Sequence, residues 1–160
     1  MTLLTRPAGL LLAASILAVG GCGTTGQSPE APPPAPTVQP SRFSASEFVG
    51  RWGFTSYHNE ADRERTIKAA SGQCGQPYVI SAGPNGGVMM HLADQKEAVE
   101  LQTKGAGGRD FIGLPNEPGG SPTDREIVSF DGRVLINRFV DADAAKRYGN
   151  MVFVRCGPRA

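Results

Sequence analysis

The segment Ser44-Ala45-Ser46-Glu47-Phe48-Val49-Gly50-Arg51-Trp52 decides how the rest of this chain is read. Ser44 and Glu47 stand at capping-box spacing, so a short helical turn is expected just before a strand. Gly50-x-Trp52 follows. A glycine lets the backbone bend inward closely, and Trp52, the only tryptophan in the chain, is large enough to plug one end of a barrel. Trp52 and Phe54 share strand parity, so both are expected to face a core.

Outward from this segment the apolar runs are short, rich in β-formers and separated by turn chemistry. Strands are expected near 48–57, 78–82, 87–92, 98–104, 109–114, 126–130, 133–140 and 151–156. The connections fit: G-P-N-G-G (83–87), A-D-Q-K (93–96), G-A-G-G (105–108) and Asp131-Gly132, the last being the strongest hairpin signal. D-A-D-A-A-K-R-Y (141–148) reads as one helical turn, with acids first and bases last as the helix dipole prefers. Eight antiparallel strands joined mainly by short turns make an all-β domain. An up-and-down barrel with one short helix before its last strand removes the exposed edges by closing. A two-sheet sandwich is the alternative. Phe54, Tyr78, Ile80 and Met90 are candidates for lining the core or a ligand site.

Gly50-x-Trp52 resembles the opening of the first strand in the calycin superfamily. Lipocalins add a basic residue on the last strand that packs over that tryptophan, and Arg155 in M-V-F-V-R-C stands in a suitable place. The segment 44–52 also resembles the start of the small bacterial metalloprotease-inhibitor barrel. The resemblance implies a small eight-stranded barrel with Gly50, Trp52 and Arg155 as its signature. About 119 residues, 42–160, suit a barrel whose own side chains largely fill it.

The N-terminus has a different grammar. Arg6 is followed by the uncharged apolar run P-A-G-L-L-L-A-A-S-I-L-A-V, about 13 residues, too short for a bilayer core that needs roughly 20. This is the pattern of a signal peptide, expected over 1–21, with a buried helix as the alternative. Val19-Gly20-Gly21-Cys22 resembles the bacterial lipobox, which implies cleavage before Cys22 and acylation there, palmitate included. Gly23 after the cysteine implies an outer-membrane lipoprotein, facing the periplasm or the exterior. Several acyl chains together anchor stably where one does not. Residues 22–41, Pro-, Ser- and Thr-rich, cannot bury enough surface to fold and should form a semi-extended tether. If Cys22 carries lipid, Cys74 and Cys156 remain as a pair in an oxidising compartment. A disulfide closing that loop would stabilise by roughly 4–5 kcal/mol in the chain-entropy model; two free thiols are the alternative.

Chemistry-bearing patterns are sparse. Without Arg6 the chain holds 15 basic and 15 acidic residues with no like-charge run, which argues against nucleic acid as a partner. His58 and His91 are the only histidines, both expected at the surface, and no third ligand with metal spacing accompanies them, so no metal and no cofactor is expected. Ser56 with His58 lacks a nucleophile elbow. Lys104-Gly-Ala-Gly-Gly-Arg109 could cradle a phosphate but lacks the G-K-[ST] ending, and reads as a hairpin turn. No enzyme activity is expected. Two loops remain: 59–76, long enough for a lid, and 115–124, expected to be flexible and exposed.

The sequence therefore points to a lipid-anchored envelope protein displaying a β-barrel binding module. Its expected partners are the membrane through Cys22 and an envelope protein, an envelope polymer or a small apolar ligand. The alternative is a protease inhibitor of the small bacterial β-barrel type, whose free N-terminal amine reaches the protease zinc. A lipidated Cys22 has no free amine to offer.

Overall fold

The computed structural model describes residues 39–157. The signal segment 1–21, Cys22 and most of the tether lie outside the described residues. Eight strands close in sequence order into one antiparallel up-and-down barrel. They are β1 Gly50–Tyr57, β2 Tyr78–Ala82, β3 Val88–His91, β4 Ala98–Ala106, β5 Arg109–Gly113, β6 Arg125–Phe130, β7 Val134–Phe139 and β8 Asn150–Arg155. Helix α1, Arg63–Ser71, lies between β1 and β2, and helix α2, Ala142–Tyr148, precedes β8. The seam is made by β1 on β8, with Trp52 opposite Arg155 and Tyr57 opposite Asn150. Closure sets the sandwich aside.

One end of the barrel is sealed. The Glu47 carboxylate accepts a hydrogen bond from the Ser44 N–H at 2.9 Å, which starts the one-turn 3-10 helix Ala45–Phe48. Phe48, Phe43 and Phe130 pack edge and face beneath Trp52. Trp52 Nε1 donates to the Phe48 carbonyl at 2.9 Å, so the buried indole is satisfied. Above this plug Ile80, Val88, Met90, Leu101, Ile112 and Leu135 are all fully buried and fill the interior. Ile80 and Met90 thus belong to the packed core. The hairpin at Asp131-Gly132 forms as its chemistry demands: Asp131 Oδ1 accepts from the N–H groups of Arg133 (2.8 Å) and Val134 (2.6 Å), and Gly132 takes φ +85°.

The segment 59–76 is not a lid. It folds into α1 and lies against the outer wall of β1 and β8, where Ala70 joins Tyr57, Ile136, Val152 and Val154 in a second core. Gly53 permits the approach, because a Cβ there would sit 1.9 Å from the Ala70 carbonyl oxygen. The Cys74–Cys156 disulfide, with its Cα atoms 5.5 Å apart, ties the turn after α1 to the end of β8. It pins a helix to the outside of the barrel.

The segment 115–124 is not a free loop either. Lys104, fully buried, points its Nζ into it and donates to the carbonyls of Leu114 and Glu117, each at 3.0 Å. The same Nζ pairs with Asp124 Oδ1 at 2.7 Å, while Asp124 Oδ2 accepts from the N–H groups of Gly120 and Ser121. A buried ammonium needs several acceptors, and the loop wraps it to supply them. At the other boundary, Gly105 N–H donates to the Gln39 carbonyl at 2.7 Å, so the described chain is docked on β4 from its first residue.

Candidate functional site

The end of the barrel opposite Trp52 carries the connections 92–97, 114–124 and α2. Here the wall is incomplete. β1 pairs with β2 only over Gly50 to Trp52 but follows β8 from Trp52 to Tyr57, so its far half has no partner on the β2 side. A cavity of about 240 Å³ opens at this place. Phe54, Tyr78 and Phe153 form one side, with the Phe54 ring tilted against Phe153 at 4.8 Å between centroids and Tyr78 5.5 Å from it. Arg125, Phe139, Tyr148 and Met151 add to the lining, which His91 and residues 92–95 complete.

Phe54 has the inward parity expected of it, yet it is 40% exposed, because it stands at the rim where the packed interior has ended. Tyr78 lies one strand across from it. Its hydroxyl oxygen accepts from the His91 N–H at 3.2 Å and lies 3.0 Å from His91 Nδ1. His91, expected in solvent, is instead half-buried against the cavity, since β3 ends there and its side chain folds back onto Tyr78. His58 does stay exposed, with Nε2 at 3.0 Å from the Lys146 carbonyl oxygen.

Residues 92–95 cross the mouth as a strap. Asp94 holds the strap to α2, with carboxylate oxygens 2.5 Å from Arg147 Nη2 and 2.5 Å from the Tyr148 hydroxyl. It does so from φ +59°, a left-handed backbone that aspartate tolerates better than most residues. The hydrogen bond to Asp94 raises the Tyr148 pKa above its ordinary value, with burial adding to the effect. On the other side of the strap lies a second depression of about 330 Å³, lined by Leu92, Pro122, Asp141 and Ala144.

At the sealed end the expected signature is assembled. The Arg155 guanidinium carbon lies 4.1 Å from the Trp52 ring centroid. Its nitrogens donate to three carbonyls: Glu47 (2.6 Å), Val49 (2.9 Å) and Gly132 (3.0 Å). Gly50 is required there, since a Cβ would come within 2.6 Å of Arg155 Nη1. These three residues hold the barrel closed, and none of them lines the cavity.

Of the four candidate lining residues, Phe54 and Tyr78 line the cavity while Ile80 and Met90 lie in the core. Sequence reasoning missed Arg125, Phe139, Tyr148, Met151 and Phe153. For Arg125 the signal existed: it shares inward parity with Ile127 on β6, an unusual place for a charge. Among the described residues no group of three His, Cys, Asp or Glu could hold a metal ion, and no helix is long and apolar enough to cross a membrane. Comparison with protein-family models, curated proteins and solved structures finds no match for this chain.

Proposed function

We propose that this is a lipid-anchored outer-membrane protein whose barrel is a binding module, and that the open mouth is where it binds. The observation that carries the reading is the asymmetry of the barrel ends. One is sealed by Trp52, Phe43, Phe48 and Phe130, and the other keeps a cavity of about 240 Å³ walled by aromatic side chains. Aromatic walls with a few placed polar groups are the usual make-up of a small-molecule site. The packed interior below limits what can enter. A long acyl chain does not fit, and the occupant is a small apolar or aromatic group, free or presented by an envelope partner. Protease inhibition gains no support from the described residues, because the chain leading to the barrel is tied down from Gln39 onward.

Methionine methyl NMR tests the mouth directly. With the first 21 residues removed, Met89, Met90 and Met151 are the only methionines. Titrating benzyl alcohol is expected to shift the Met151 methyl, which lines the cavity, and to leave Met89 on the outer face unmoved. An unmoved Met151 signal at saturating probe rejects the site. The anchor is tested separately: Cys22→Ser is expected to move the protein from the membrane to the soluble fraction.

A further inference from the structure

The interior face beneath the mouth contains a charge with no counter-charge. Arg125 is 4% exposed, and among the described residues its Nε has no hydrogen-bond partner. Nη1 reaches only the sulfur of Met90, at 3.9 Å, and the guanidinium lies over the Phe139 ring at 4.8 Å. Among the described residues, the Tyr78 hydroxyl is the one polar side chain supporting its charge. Among the described residues, the carboxylates of its chain neighbours and of the strap are committed elsewhere. Asp124 is held by Lys104, Glu126 by Arg138 and Arg109 on the outer wall, and Asp94 by Arg147 and Tyr148.

A buried cation normally pairs or is replaced, because leaving it unpaired costs several kcal/mol. Burial accordingly pulls the Arg125 pKa down from its ordinary value, the sign expected of a cation short of counter-charge. A second buried polar group lies on the same inner face: both amide atoms of Asn137, opposite Met151 in the β7–β8 register, lack partners among the described residues. Of the two, Arg125 lines the cavity, and a guanidinium short of partners under an apolar mouth is what an anionic head would pair with.

We propose that the mouth cavity binds a small monocarboxylate with an apolar body, its carboxylate paired with Arg125 and its body against Phe54, Phe153 and Met151. The inference rests on the mouth being a binding site and adds the class of ligand. The planar guanidinium fork matches a carboxylate two bonds at a time. A dianion such as phosphate is disfavoured, since among the described residues Arg125 is the only cationic side chain lining the cavity, and Asp94 stands at its rim. Size narrows the body further. The cavity of about 240 Å³ is smaller than the roughly 300–1,000 Å³ of sites for drug-sized ligands. That suits an aromatic or short-chain acid and excludes a long fatty acid.

The test compares benzoate with neutral benzyl alcohol on the mature chain, followed through the Met90 and Met151 methyl signals. Benzoate is expected to bind at least about tenfold more tightly, the value of one charge-assisted pair. In Arg125→Met this preference is expected to vanish, while the thermal midpoint stays level or rises because an unpaired buried charge has gone. Arg125→Gln carries the same comparison should the Met variant fail to fold. Equal affinity for the two probes in the natural chain, or a benzoate preference that survives in either variant, overturns the carboxylate assignment and leaves the mouth as a site. Failure of both probes to move Met151 overturns both.

Discussion

Arg155 and Trp52 form the clasp that closes the barrel: the guanidinium lies 4.1 Å above the indole and its nitrogens reach carbonyls before β1 and in the β6–β7 turn. The cation–π contact in a dry site is worth about 2 kcal/mol, and hydrogen bonds from a charged donor add about 1.5–3 kcal/mol. Arg155→Met is expected to destabilise by roughly 3–5 kcal/mol in urea unfolding. Arg155→Lys is expected to recover less than half of that, because an ammonium cannot fork to three carbonyls while stacking flat. Full recovery by lysine would show that charge alone matters.

Asp110 fastens the segment that precedes the barrel. Its Oδ1 accepts from the Ser41 hydroxyl and the Arg42 N–H, each at 2.8 Å, and Oδ2 from Arg42 Nε at 2.7 Å. Burial alone would raise its pKa, but these hydrogen bonds and the Arg42 charge outweigh burial and hold it below the usual carboxylate range. The unfolded value is about 3.9. The stabilisation is therefore complete above that pH and is lost as pH falls through the lower, folded pKa. Proteolysis N-terminal to Phe43 is expected to accelerate in that acid window. Asp110→Asn should show the acceleration already at pH 7, and a pH profile identical to the natural chain would refute the clasp.

Gly53 lets α1 touch the barrel wall. Gly53→Val would place carbon where the Ala70 carbonyl oxygen now lies, 1.9 Å from the new Cβ. Overpacking of this kind costs typically 1–3 kcal/mol. Hydrogen exchange is expected to rise in α1 and stay low in β4 to β7. Reducing Cys74–Cys156 should add to the effect, since the disulfide holds the same helix.

Lys104 and Asp124 are both buried and each is the other's only charge partner among the described residues. Lys104→Met leaves the buried Asp124 without its charge partner, at a cost of about 3–5 kcal/mol. The double variant Lys104→Met, Asp124→Asn is expected to be more stable than Lys104→Met alone, although Gly120 and Ser121 still need their acceptor. Additive losses in a double-mutant cycle would argue against the pairing.

The strand pattern was legible because a barrel strand advertises itself locally. Alternation at Trp52, the turn chemistry at Asp131-Gly132 and the acid-to-base order of 141–148 each depend on residues within a few positions. The capping box at Ser44 and Glu47 is local in the same way, whereas the pairing of Cys74 with Cys156 was anticipated from setting Cys22 aside for lipid and the seat of Arg155 over Trp52 from the resemblance to lipocalins. Helix α1 was not legible. It presents a narrow face, chiefly Thr66, Ile67 and Ala70, because it packs through small residues over a glycine on another element. Lys104 was read only as the start of a glycine-rich turn, and its burial was not legible, since its partners lie 10 to 20 positions downstream.

The sequence by itself determined an eight-stranded β-domain and a tryptophan able to plug one end, since periodicity and turn chemistry are local properties of the chain. Only the tertiary structure decided which end is open and what stands beneath it. Arg125, Phe139, Tyr148, Met151 and Phe153 come from β6, β7, α2 and β8, and they meet Phe54 and Tyr78 where β1 outruns β2. Whether a strand arginine points to solvent or to a cavity without a counter-ion depends on closure and shear of the whole barrel, which no stretch of residues carries alone.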